Sequence, residues 1–106
     1  MSQHRVFQEN VMAMIGYDRP TASYFLNIQK DWESETPQEL YSSIGQKKVL
    51  IPDAFFSLME EHGFSLSEHF KETLIYDGIM SIMNQVSIWE YDSNGTLTLQ
   101  KQIRVG

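Results

Sequence analysis

Three histidines, fourteen carboxylates and no cysteine make up the chemistry available to this chain. Without cysteine it can build neither a disulfide scaffold nor a thiolate-ligated metal site. His62 and His69 stand seven residues apart. That spacing would nearly align them on one continuous helix, but Gly63 falls between them and interrupts it, so no metal site is expected there. His4 lies in a segment that offers it no partner. Asp18 and Arg19 are opposite charges at a turn, where sites often collect, and Asp18 would form a carboxylate pair with Asp77 only if the fold brought the two together. No nucleotide-binding glycine loop, H-E-x-x-H, G-x-S-x-G or calcium-binding loop occurs. No catalytic residue, metal or cofactor is therefore expected. The balance lies on the non-catalytic side, with enzymatic activity left open.

The residues best suited to binding are aromatic and acidic. In the stretch from Lys30 to Leu40, Asp31, Glu33, Glu35 and Glu39 surround Trp32. This is either a solvated charge run with Trp32 folded back onto a sheet, or an acidic surface with an aromatic anchor for a basic partner. Tyr17, Asp18 and Arg19 form a second set, and Trp89 and Tyr91 a third, on a face that either covers the helices as core or stays partly exposed as a binding or dimer surface. The formal charge of −6 repels phosphate backbones and acidic membranes, so nucleic acid and membrane partners are not expected. Apolar runs such as Met12 to Ile15 are far too short to span a bilayer, and the polar start MSQHRVFQEN lacks a signal-type segment. A soluble, cytoplasmic protein is the expectation.

The elements that must position these residues alternate in kind. Residues 1–106 are expected to form a single domain with a mobile N-terminal arm over 1–9, although Val6 and Phe7 could pin its end. Val11 to Ile28 reads as a β-hairpin, with Val11, Ala13 and Ile15 on one side, Tyr24, Leu26 and Ile28 sharing a side, and Gly16-Tyr17-Asp18-Arg19-Pro20 as the turn. Leu40 to Ile44 alternates as a further strand ended by Gly45. Pro52-Asp53 opens a helix to about His62, stopped by Gly63, with Phe55, Leu58, Met59 and His62 as its buried stripe and Phe56 alongside. Ser65 and Glu68 read as a capping box for a second helix, with Leu66, Phe70 and Leu74 on one face and Met80 and Met83 as core filler.

Gln85 to Val105 reads as a final hairpin whose register depends on its turn. A type I turn over Asp92-Ser93-Asn94 followed by left-handed Gly95 sets Trp89 opposite Leu99 and Tyr91 opposite Leu97. The apolar faces then match, with Ile88, Glu90, Thr98 and Gln100 on the other face. The class is α+β: an antiparallel sheet of about five strands with two helices packed on one face.

Gly16-Tyr17-Asp18-Arg19-Pro20, followed by Phe25-Leu26 and Ile28, resembles the opening of a family of small uncharacterised bacterial proteins. Asp77, Asn84 and Val86 correspond to a spaced Asp, Asn and Val near the end of that family's pattern. The resemblance implies a bacterial origin, a fold and a second helix continuing to about Asn84. It implies no activity. Size, acidity and exposed aromatics point to a non-catalytic protein-binding module, namely an inhibitor, immunity factor or adaptor whose partner has a basic surface. The alternatives are a small enzyme or enzyme subunit with a site near the Asp18-Arg19 turn, and a self-associating structural protein, for which a homodimer is the simplest form.

Overall fold

In the computed structural model, the residues described are 2–45, 47–82 and 84–104. Met1, Met83 and Val105, which figure in the arm, the methionine stripe and the last hairpin, lie outside them. The described residues form β1 (Ser2–Gln8), β2 (Val11–Asp18), β3 (Ser23–Lys30), β4 (Gln38–Ser42), α1 (Asp53–Glu61), α2 (Glu68–Met80), β5 (Gln85–Tyr91) and β6 (Leu97–Arg104). All strands belong to one sheet in the order β4-β3-β2-β1-β5-β6. Neighbours run antiparallel except β1 and β5, which are parallel. The α+β class holds, with one strand more than the expected five and one parallel pair.

The additional strand is the segment expected to be a mobile arm. Residues 2–8 form β1, in the middle of the sheet, hydrogen-bonded to β2 on one side and β5 on the other. Ser2, His4 and Val6 point inward and are almost completely buried, while Gln3, Arg5 and Phe7 lie on the opposite face. The alternation is therefore present, but two of its three inward residues are polar, which conceals a buried strand from a hydrophobicity pattern.

The first hairpin keeps its expected faces, with Ile15 opposite Leu26 and Ala13 opposite Ile28. Its turn, however, is narrower. Tyr17 pairs with Tyr24 and Asp18 with Ser23, so Gly16 and Tyr17 belong to β2, and the chain reverses over Arg19 to Ala22. Gly16 is required for close approach within the sheet. A Cβ there would run into the Ser2 carbonyl oxygen and the Phe25 ring. Likewise β4 ends at Ser42, before the expected Ile44. Ser43 leaves the ladder to bond Leu26 through both its backbone N–H and its hydroxyl.

Helix α1 begins after Pro52 and closes at His62, with Gly63 at φ +92° beyond it. Phe55, Phe56 and Met59 are buried, and Leu58 and His62 half-buried. The cap of α2 is Ser67 rather than Ser65. Its Oγ accepts the Phe70 N–H at 3.3 Å and its hydroxyl donates to the Leu97 carbonyl at 3.1 Å, which ties the helix start to β6. Ser65 is held instead by Tyr91. Helix α2 runs through Gly78 to Met80 and ends where Ser81 turns left-handed at φ 50°, short of Asn84. Met80 is exposed, not core filler.

The last hairpin has the apolar register, with Trp89 opposite Leu99 and Tyr91 opposite Leu97. Asp92 Oδ1 accepts the N–H groups of Asn94 and Thr96, and Gly95 sits at φ +78°. One detail differs: a bulge sets Ile88 opposite Lys101, so Gln100 is the extra residue and not part of a regular outer face. Trp89 and Leu97 join Val6, Ile15, Leu26 and Ile28 under Phe55, Phe56, Met59, Phe70 and Leu74 in one core. Both helices thus cover the same face of the sheet.

Gly16→Ala should lower stability by about 1–3 kcal/mol, because the obstructing atom is backbone and the strand must move to admit a methyl group. Urea unfolding would show a reduced midpoint at unchanged slope. A midpoint equal to that of the parent would refute the packing account.

Candidate functional site

His4, which has no partner in its own segment, has two from elsewhere in the fold. Its Nε2 lies 2.5 Å from Asp77 Oδ2 on α2, and its Nδ1 lies 3.0 Å from the indole Nε1 of Trp89 on β5. An indole N–H can only donate, so Nδ1 accepts, and the ring proton sits on Nε2 facing the carboxylate. Phe70 packs edge-on against both rings. His4 is 1% exposed, Asp77 4% and Trp89 0%. This is a satisfied polar chain inside the core, closed to any substrate, and its role is to join α2, β1 and β5.

The residues proposed from sequence are dispersed by the fold. Trp89 is enclosed and leaves the set of contact residues. Tyr17 is 9% exposed and packs edge-on against Tyr24 rather than projecting from a turn. The Tyr91 hydroxyl accepts the Ser65 N–H and donates to the Ser65 carbonyl, both at 3.0 Å, so it clasps the loop between the helices. Burial pushes the phenol of Tyr91 up from its ordinary value. Asp18 accepts the Thr21 hydroxyl at 2.8 Å within the turn, while Asp77 is taken by His4. The two carboxylates are therefore engaged separately, and Arg19 is exposed on the turn.

Trp32 does fold back, onto the sheet face away from the helices. There its ring lies 4.8 Å from that of Phe7. With Glu9, Asp31 and Glu33 it lines a shallow concavity of about 590 Å³, and Glu35 is exposed beside it. Among the described residues no group of three or more acids and histidines could hold a metal ion. His62 donates from Nδ1 to the Leu58 carbonyl at 2.8 Å and so serves its own helix end.

The helix layer carries a feature that the sequence reading missed. Helix α2 turns Phe70, Leu74 and Asp77 inward, which leaves Ile75, Tyr76, Ile79 and Met80 outward, Ile79 at 75% exposure. Leu50 and Ile51, ahead of α1, are exposed as well. Between them runs a groove of about 520 Å³ with Leu50, Ile51 and Pro52 on one wall and Ile75 and Ile79 on the other. Tyr17, Tyr24 and Gly78 also line it, and Asp53 contributes a carboxylate. Gly78 lets the Tyr24 ring approach α2 beneath the groove, since a Cβ there would collide with the Tyr24 hydroxyl. Over the helix layer the charge is one-sided: Asp53 at the groove, and Glu60, Glu61, Glu68 and Glu72 at the other ends of the two helices, are exposed against Lys71 alone. The available signal was the surplus of apolar residues in IYDGIM, which exceeds what one buried face can absorb.

No protein-family model, curated protein or solved structure matches this chain. No helix among the described residues is long and apolar enough to cross a membrane.

Replacing Asp77 by Leu strands the His4 Nε2–H in the core and should destabilise by about 1–3 kcal/mol. Asp77→Asn retains an acceptor and should lose less. Equal losses in urea unfolding would show that the hydrogen bond is unimportant.

The Tyr24 phenol is pushed up to about 12 by burial. The nearby Asp77 carboxylate reinforces that shift. The folded state therefore keeps this proton where the unfolded chain has begun to release it near 10, so stability is intact below pH 10 and falls as pH rises toward 12. Tyr24→Phe should remove one late phenolate step from an absorbance titration and flatten the alkaline loss of stability.

Proposed function

We propose that this chain is a small, acidic, non-catalytic protein-binding module, of the inhibitor, immunity-factor or adaptor kind, acting in the cytoplasm of a bacterium on a protein with a basic surface. The observation that supports it best is the pairing of exposed aliphatic side chains with a one-sided acidic surround on the helix layer. Contiguous exposed apolar groups of this kind mark interaction surfaces in soluble proteins. Surrounding carboxylates speed encounter with a cationic partner and exclude acidic ones. Trp32 with Glu33 and Glu35, and Asp18 with Arg19, offer further contact points at other places on the surface.

The enzyme alternative at the Asp18-Arg19 turn draws less support. It needs Asp77 at the junction, whereas that carboxylate is buried against His4. The bacterial origin rests on the Gly16-Tyr17-Asp18-Arg19-Pro20 resemblance.

A photo-crosslinking amino acid placed at position 76, where Tyr76 is 55% exposed, should yield in the host cell a discrete adduct with one basic protein. Position 98, on β6, should yield none. A pattern of adducts unrelated to position, or adducts only with acidic proteins, would overturn the proposal.

A further inference from the structure

The outer side of α2 is divided along its length. Glu68 and Glu72 lie one turn apart on that side, and Ile75, Tyr76, Ile79 and Met80 continue the same face toward the C-terminal end. The helix has 13 residues, about 20 Å at 1.5 Å per residue. Its acidic half and its apolar half are therefore each about two turns long. The groove lies against the apolar half, with Ile75, Gly78 and Ile79 lining it. Across it, Leu50 and Ile51 are 73% and 64% exposed, although each is large and aliphatic.

We infer that this groove docks a single helical segment of a partner protein, three to four turns long, whose apolar side chains sit at one end and whose lysines or arginines sit at the other. This rests on the binding-module reading and narrows it to one surface and one kind of ligand. Charge selects the occupant. A second copy docked through the same surface would bring two acidic helix layers together, and like charges brought together at an interface oppose association. Lys71, between Glu68 and Glu72 on the same helix, offsets one of these charges, and Lys47 and Lys48 add nothing because both line the cavity on the other face of the sheet. A segment with separated apolar and cationic ends matches both halves of α2 at once. Its aliphatic residues fill the space between Ile79 and Leu50, as in other helix-in-groove contacts, while its cations meet Glu68 and Glu72.

The test uses a fluorescein-labelled synthetic helix with leucines in one half and lysines in the other, followed by anisotropy with the intact protein. A companion peptide carries glutamates in place of the lysines. The lysine peptide should bind and the glutamate peptide should not. Ile79→Ser should weaken binding about tenfold, and the Glu68→Gln, Glu72→Gln double variant should weaken it at low salt, with the difference fading as salt screens the charges. Ile44→Ser is the control, since Ile44 is an even more exposed aliphatic residue, at 87% against 75% for Ile79, on another part of the surface; it should leave binding unchanged. Ile79 is exposed, so thermal unfolding of its variant should match the parent and exclude misfolding as the cause.

Equal binding of both peptides overturns the inference, as does loss through Ile44→Ser but not Ile79→Ser. The latter would relocate the contact while leaving the module reading standing on its crosslinking test. A concentration-dependent dimer abolished by Ile79→Ser would also overturn it, making a second copy the occupant.

Discussion

Asp77 reaches from α2 into the core to take the Nε2–H of His4, and His4 in turn takes the indole N–H of Trp89. Three elements distant in sequence are joined by groups that would each be destabilising if left alone in the interior. The interaction also contributes to the rotation of α2, together with the burial of Phe70 and Leu74. With Asp77 inward, Phe70 and Leu74 follow it into the core at helical spacing, and Ile75, Tyr76, Ile79 and Met80 are turned to solvent. The exposed groove is in this sense the counterpart of a buried polar contact.

The sheet supplies the rigidity that makes this phasing effective. β1 lies at its middle with His4 fully covered, pairing antiparallel with β2 and parallel with β5. Trp89 on β5 is thereby brought beside a strand from the other end of the chain. Tyr24 adds a second tie by donating to the Leu74 carbonyl at 2.7 Å, and Gly78 admits its hydroxyl because it has no side chain to obstruct it. The groove thus lies over aromatic rings fixed from below.

Charge is distributed unevenly over this frame. The helices present five exposed carboxylates against Lys71, whereas Lys47 and Lys48 stand by the cavity on the far side of the sheet. The net charge of −6 consequently bears on one layer more than on the molecule at large. Steering of a cationic partner would act where the aliphatic residues are exposed, so both kinds of recognition converge on one surface.

Local patterns determined much of the architecture. Alternation and turn chemistry determined the first hairpin's inward face and the register of the last one, where Asp92 and Gly95 shape the turn. Pro52, Asp53 and Gly63 bounded α1, because these residues act on their own backbone and need nothing distant. What depended on partners far along the chain was decided only by the tertiary structure. β1 looked like an arm because Ser2 and His4 are polar, and their burial depends on Tyr17, Asp77 and Trp89. The cap of α2 moved to Ser67 because Tyr91 holds Ser65 and Leu97 holds Ser67. Trp89 and Tyr17 are candidate contact residues by type and position, and it is the helix layer that encloses them. The groove was least legible of all, since the sequence contains its apolar residues but not the rotation of α2, which the long-range contacts of Phe70, Leu74 and Asp77 set together.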